Sequence, residues 1–221
     1  MLVEGHGEIE AAHNLVTRLW QEAGRWQPWA SPLRWNNLHR QSGVEKGIAR
    51  IRTFDDVGAL LILRDEDDAC PKEVGPEVAS WIRAQEPPFP VAVVLFHREY
   101  EVLFLPCLER IAGRPLVGAD GQQRAGLLPG TRYEGDWERV RGVKEWLTDR
   151  FPAGRSYKPT FDQLPMTRMI DLPTLRAARV PCFETLERAL GFLASSSGVV
   201  GVYPPPLAGA HPVPDPSAPR R

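Results

Sequence analysis

Gly58-Ala59-Leu60-Leu61-Ile62-Leu63-Arg64-Asp65-Glu66-Asp67-Asp68 is the stretch that decides the fold class. Its first half is apolar without alternation, the pattern of a strand covered on both faces. Its second half turns acidic at once, so the strand carries carboxylates at its carboxyl end. The same order recurs on either side. Val91-Ala92-Val93-Val94-Leu95-Phe96 is a second buried strand, followed by Arg98-Glu99-Tyr100-Glu101. Leu2-Val3 is the end of a third, followed by Glu4-Gly5-His6-Gly7-Glu8. That third strand is a stub against a usual length of about 5–6 residues, and it leaves open a start codon upstream of Met1.

Helical spacing fills the gaps between strands. Ile9, Ala12, Leu15, Val16 and Leu19 recur on one face, with Gly24 as a stop, and Val44, Ile48 and Ile51 mark a short helix. Another helix is expected near Pro76 to Ala84. Tyr100, Leu103, Phe104, Cys107, Leu108 and Ile111 form a further helical set, with Pro106 as a kink. Pro32 to Leu38 reads as a short additional strand. Strands alternating with helices predict an α/β domain over 1–114 with a mainly parallel, doubly wound sheet. Glycines and polar residues then predict a loop over 115–137. Helices around Val140, Val143, Lys144 and Leu147 and from Pro181 to Leu193 make 115–200 a helical extension packed on the first domain. The proline-rich tail, 201–221, is expected to be disordered.

Composition excludes several classes. The formal net charge of the 221 residues is -1, so bulk electrostatics draw the chain to neither nucleic acid nor anionic membrane, and nucleic-acid binding would need a local basic face. Cys70, Cys107 and Cys182 are odd in number and far apart, which argues against a zinc ribbon or disulfide framework and for reduced thiols in the cytoplasm. No run approaches the roughly 18 apolar residues of a membrane span. The acidic start lacks the basic and apolar regions of a signal peptide. There is no GxxxxGK(S/T) loop, so the chain is not itself a P-loop ATPase. There is no GxSxG elbow for a serine hydrolase either.

What remains is acid at strand ends. In open α/β sheets ligands gather beyond the carboxyl ends of the strands. Glu4, Asp65 and Glu99 follow three such ends, and clustered carboxylates need protons, basic partners or a cation. Mg²⁺ suits oxygen donors and retained waters. If the extended backbone persists, Asp65 and Asp67 share a side, which makes them the better metal pair, and Asp68 joins if the chain turns before Cys70-Pro71. A solvated acidic loop is the alternative for this run. Glu8 falls in a first helical turn, where capping explains it equally well. Glu99 and Glu101 cannot share one helical face, so the expectation is that one reaches a metal while the other pairs with an arginine, with ordinary charge at a helix start as the alternative for either.

Taken in order, these segments resemble the bacterial domain-of-unknown-function 4276 family. The resemblance rests on Val3 to Glu8, Leu61 to Pro71, Arg98 to Glu101 and Val143-Lys144-Glu145-Trp146-Leu147. Tyr157-Lys158 with Asp162-Gln163, and Ile170-Asp171 with Phe183, extend it over nearly the whole chain except the tail. That family looks Toprim-like and distantly similar to the overcoming-lysogenization-defect nucleases. The resemblance implies a glutamate motif at Glu4, with Glu8 as its second acidic position, and metal aspartates at Asp65 and Asp67. It also implies Mg²⁺ (or Mn²⁺) held near a phosphodiester, a nucleic-acid substrate and a partner ATPase in phage defence or DNA maintenance.

The expectation is therefore a metal-dependent nuclease acting on DNA or RNA. Glu4, Glu8 and Lys144 are its catalytic candidates, and Asp65, Asp67, Asp68, Glu99 and Glu101 its metal ligands. Arg64, Arg98 and Lys158 are the candidates to bind phosphate. A non-catalytic partner of an ATPase is the alternative, with the crowded Trp20, Trp26, Trp29 and Trp35 as interface anchors or core. A haloacid-dehalogenase-like phosphatase fits less well, because Asp65 comes late and no threonine follows it.

Overall fold

The computed structural model describes residues 1–137, 139–196 and 200–206. Its centre is a five-stranded, all-parallel sheet in the order β2-β1-β3-β4-β7. The strands are β1 (Leu2–Val3), β2 (Leu33–Arg34), β3 (Leu60–Glu66), β4 (Val91–His97) and β7 (Val202–Tyr203). Parallel pairing needs crossovers, and helices supply them. Among the described residues these are α1 (Glu8–Glu22), α2 (Gln41–Ile51), α3 (Pro71–Arg83), α4 (Leu108–Ile111), α5 (Val143–Thr148), α6 (Pro159–Met169), α7 (Leu172–Ala178) and α8 (Pro181–Ser195). A 3-10 helix, Tyr100–Cys107, precedes α4, and β5 (Leu116–Val117) pairs antiparallel with β6 (Gln123–Arg124). None of these helices is long and apolar enough to cross a membrane.

Strand alternation sorts the core into two layers. Leu60 and Ile62 pack with Leu2, Val93 and Leu95 against α2 and α3. Leu61 and Leu63 pack with Val3, Val94 and Phe96 against α1, the 3-10 helix, α8 and the other C-terminal helices. Both faces of β3 and β4 are thus covered, as their unbroken apolar runs predict. The second layer draws on residues from Met1 to Leu193. The C-terminal helices therefore build the same core as the first strands do.

Several boundaries differ from the sequence reading. The third helix begins at Pro71, not near Pro76, because proline at the first helical turn is pre-set for helix and Cys70 stands extended as its cap. The helical set from Tyr100 is a 3-10 segment as far as Cys107, with Pro106 inside it. A small hairpin, β5–β6, stands where a loop was expected. Helices α6 and α7 were not anticipated. Six consecutive residues of α6, Asp162 to Thr167, are buried, so the helix shows no polar stripe to reveal its period. In the tail Val202–Tyr203 forms an edge strand on β4, and the expectation of disorder for 207–221 lies outside the described residues.

Candidate functional site

Beyond the carboxyl ends of β3 and β4, four carboxylates surround one lysine. Asp65 lies on β3 on the Leu61 and Leu63 side, and its Oδ1 accepts the Tyr100 backbone N–H at 2.8 Å. Glu99 and Glu101 follow β4, and Glu101 is fully buried. Glu8 opens α1 and is 7% exposed. Lys144 reaches in from α5. Its Nζ stands 3.5 Å from Asp65 Oδ2, 3.4 Å from Glu99 Oε1 and 3.4 Å from Glu101 Oε2.

Local structure explains how these groups are held. Glu99 Oε2 also accepts the Lys144 backbone N–H at 3.2 Å, so one carboxylate positions both ends of that residue. Thr148 donates its hydroxyl to the Lys144 carbonyl at 2.9 Å and accepts the Tyr157 N–H at 3.1 Å. The Tyr157 hydroxyl then donates to Glu101 Oε1 at 2.9 Å. Helix α5 and the segment before α6 thus close over the cluster as one hydrogen-bonded unit. Glycines at the other wall make room. A Cβ on Gly5 would stand 2.6 Å from Glu8 Oε1, and one on Gly7 would meet Gln163 Oε1 at 2.3 Å and the Pro159 carbonyl oxygen at 2.6 Å. Both are needed for close approach.

The electrostatics follow from burial. Desolvation pushes the Glu8 carboxyl up to about 7; the backbone groups of Gly5 and Glu4 and the Lys144 charge oppose this, and Glu101 adds to it. Asp65 is held well above the carboxylate range, first by burial and then by the charges of Glu8 and Glu101. Burial also raises Glu101, although Lys144 and the Tyr157 hydroxyl pull it back. For Lys144 burial alone would lower the ammonium, but Glu101, Asp65 and Glu99 outweigh it and hold it above the usual lysine range. Four carboxylates against one ammonium leave an excess of negative charge that only protons or a further cation can neutralise. Glu8 Oε2 and Glu101 Oε2 are buried without a hydrogen-bond partner.

Not every expected residue arrives here. Glu8, Asp65, Glu99, Glu101 and Lys144 converge, whereas Glu4, Asp67 and Asp68 do not. Glu4 Oε1 instead accepts the Leu38 N–H at 2.7 Å, with His39 Nδ1 3.8 Å away. The reason is parity. Val3 packs on the layer beneath Asp65, so the next residue turns to the Leu2 side of the sheet. Asp67 was expected to share the side of Asp65, but β3 ends at Glu66 and the chain bends, which leaves Asp67 exposed. Asp68 is exposed and pairs with Arg141 at 3.4 Å.

The expected phosphate ligands also scatter. Arg64 is 3% exposed and spends its charge on Glu66 at 2.6 Å, on the opposite face from Asp65. Lys158 is exposed and caps α6 through its backbone, whose N–H donates to Asp162 Oδ2 at 2.8 Å. Arg98 directly precedes Glu99 in the chain. It adopts a left-handed φ of 70°, and its Nε and Nη1 are buried without an acceptor. A strained backbone and orphaned donors beside a carboxylate cluster are features of functional sites.

Tyr157 is the site residue that pattern reading did not single out. It follows Glu101 by 56 positions, and no local spacing ties the two. Of the crowded tryptophans, Trp20 and Trp29 pack edge-to-face at 5.3 Å, and Trp35 donates to the Gly43 carbonyl. Trp26 is 75% exposed.

Among the described residues no three His, Cys, Asp or Glu side chains stand as a ready metal shell, and the Lys144 ammonium stands 3.4–3.5 Å from three of the carboxylates. The donor set is nonetheless the hard-oxygen kind that Mg²⁺ takes, and the buried Glu8 Oε2, which has no hydrogen-bond partner, remains available to a cation. No curated protein and no solved structure matches the chain. A family model described as "Domain of unknown function (DUF4276)" matches residues 3–191, and the chain belongs to that family.

Proposed function

We propose that this protein is a divalent-metal-dependent phosphodiesterase acting on DNA or RNA, with its centre at the carboxyl edge of the sheet. The observation that carries this reading is the gathering of buried Glu8 and Glu101 with half-buried Asp65 and Glu99 around Lys144, with the Glu8 Oε2 left unpartnered. The raised carboxyls of Glu8, Asp65 and Glu101, gathered at strand ends, mark a centre for chemistry. Asp65, Glu99 and Glu101 are the residues to hold Mg²⁺ or Mn²⁺, which when bound supplies Lewis acidity to a phosphoryl oxygen. Glu8, neutral or ionised with nearly equal ease at pH 7, takes a proton at its free Oε2 from the attacking water or returns one to the leaving oxygen. The Lys144 ammonium and the Arg98 guanidinium supply positive charge for the phosphate. A net charge of -1 means that binding depends on this local charge, not on the whole surface.

Supercoiled plasmid incubated with the purified protein and Mg²⁺ or Mn²⁺ tests the proposal. Metal-dependent nicking is expected, with loss of about a hundredfold or more in Asp65→Asn and Glu101→Gln. Nicking that persists unchanged in both variants would come from a contaminant. A second reading rests on Lys144 closing the cluster: the ion pairs are then a structural lock in a non-catalytic partner of an ATPase. Intact plasmid together with flat Mn²⁺ calorimetry would favour it.

A further inference from the structure

The Lys144 ammonium is centred among three carboxylates and seated on none of them. Charge-assisted hydrogen bonds close to about 2.7–2.9 Å, whereas its three contacts are 3.5, 3.4 and 3.4 Å. This is the position of a shared cation. Glu8 is more than nine-tenths buried and keeps its Oε2 without a partner, while the Oε2 of fully buried Glu101 accepts no hydrogen bond and has only the 3.4 Å approach of this ammonium. The amine therefore leaves part of the cluster's demand for positive charge unmet. The side chain is also free to leave, because it is 34% exposed. Its backbone is anchored independently, with the N–H on Glu99 Oε2 and the carbonyl on Thr148. Withdrawal of the ammonium would not require α5 to move.

We propose that Lys144 is the built-in counter-ion of this centre and that a divalent cation enters by displacing its ammonium from Asp65, Glu99 and Glu101. The inference rests on the metal-dependent reading above. Two cations cannot share one focus a few ångströms across, since their repulsion is strongest where water is scarce. Before loading, the lysine offsets the repulsion among the carboxylates and leaves the sheet edge neutral enough to fold. After loading, its charge is released toward the open side, where the anionic substrate arrives.

Calorimetric titration of the full chain with Mn²⁺ provides the test. Lys144→Met should bind Mn²⁺ at the same stoichiometry as the wild type but about tenfold or more tightly. Wild-type binding that is equalled or weakened in the variant overturns the displacement while leaving the metal-dependent reading in place. Flat titrations of both proteins overturn the two together. Lysine acetylation of the wild type with an N-hydroxysuccinimide ester, mapped by peptide mass spectrometry, keeps the test independent of how the variant folds. Lys46, Lys72 and Lys158 are exposed and act as internal references. Saturating Mn²⁺ should speed the labelling of Lys144 several-fold and leave the other three unchanged. Labelling of Lys144 that stays constant or slows as Mn²⁺ binds overturns the displacement.

Discussion

Glu8 shows how one residue reports on its surroundings. Burial lifts its carboxyl from 4.5 to about 7, so the folded protein holds a proton that the unfolded chain releases. The contribution of Glu8 to stability is then fullest below pH 4.5, falls as the pH rises between 4.5 and about 7, and is level above that range. Glu8→Gln should therefore raise stability at pH 8 by an amount on the order of 2–3 kcal/mol and change little at pH 4.5. Urea unfolding in chelator at the two pH values measures this. Equal effects at both would mean that the carboxyl is not protonated in the fold. Most of this site was legible in the sequence, since strand-end acids pointed to Asp65, Glu99 and Glu101, and Glu8 and Lys144 stood among the catalytic candidates. The choice of Glu8 over Glu4 was not, because it depends on which face of the sheet β1 presents after Val3, a matter of register that two strand residues do not reveal. The residue Tyr157 was hidden for a different reason: its partner is distant in sequence and close only in the fold.

At the scale of elements, the α1–α6 contact carries the wall of the site. Gly7 has ordinary helical dihedrals, with φ of -67° and ψ of -30°. Its requirement is therefore space, not backbone freedom. The Pro159 carbonyl is backbone and cannot yield as a side chain would. Gly7→Ala should cost about 1–3 kcal/mol in thermal or denaturant unfolding, from overpacking alone. If the variant matched the wild type, α6 would not be seated against the start of α1. A second fastening lies at the start of α6, where buried Asp162 takes Arg155 in a two-pronged pair, with contacts of 3.1 and 2.6 Å, and accepts the Lys158 N–H. The buried strands β3 and β4 and the amphipathic α1 were readable from period. Helix α6 was not, because burial on all sides removes the contrast between faces that defines a helical period, and Pro165 inside it suggests a break.

The whole molecule behaves as one unit because a single core layer spans it. Leu147, Phe151, Tyr157, Met166, Phe183, Leu186 and Leu190 pack in the same cluster as Val3, Leu15, Leu61 and Phe96. Arg176 of α7 adds a bridge to Glu22 of α1 and to Glu187 of α8 at the far end. Truncation after residue 114 should thus expose one face of the sheet and abolish cooperative unfolding, and scanning calorimetry of the fragment checks this. A sharp transition in the fragment would show that the α/β part stands alone. Alternation of strands and helices was enough to foresee the sheet. The depth to which the extension enters its core was not, since hydrophobic spacing says that a face is buried but not against what.

The placement of Lys144 has a consequence for synthesis. All four carboxylates are encoded by residue 101, and their counter-ion arrives more than forty positions later. A ribosome at that point has delivered a set of like charges with nothing to hold them together. The centre therefore comes into being late in translation, when α5 emerges and folds back across the sheet edge. Premature termination between these positions would yield a chain that carries the acids yet lacks the means to gather them.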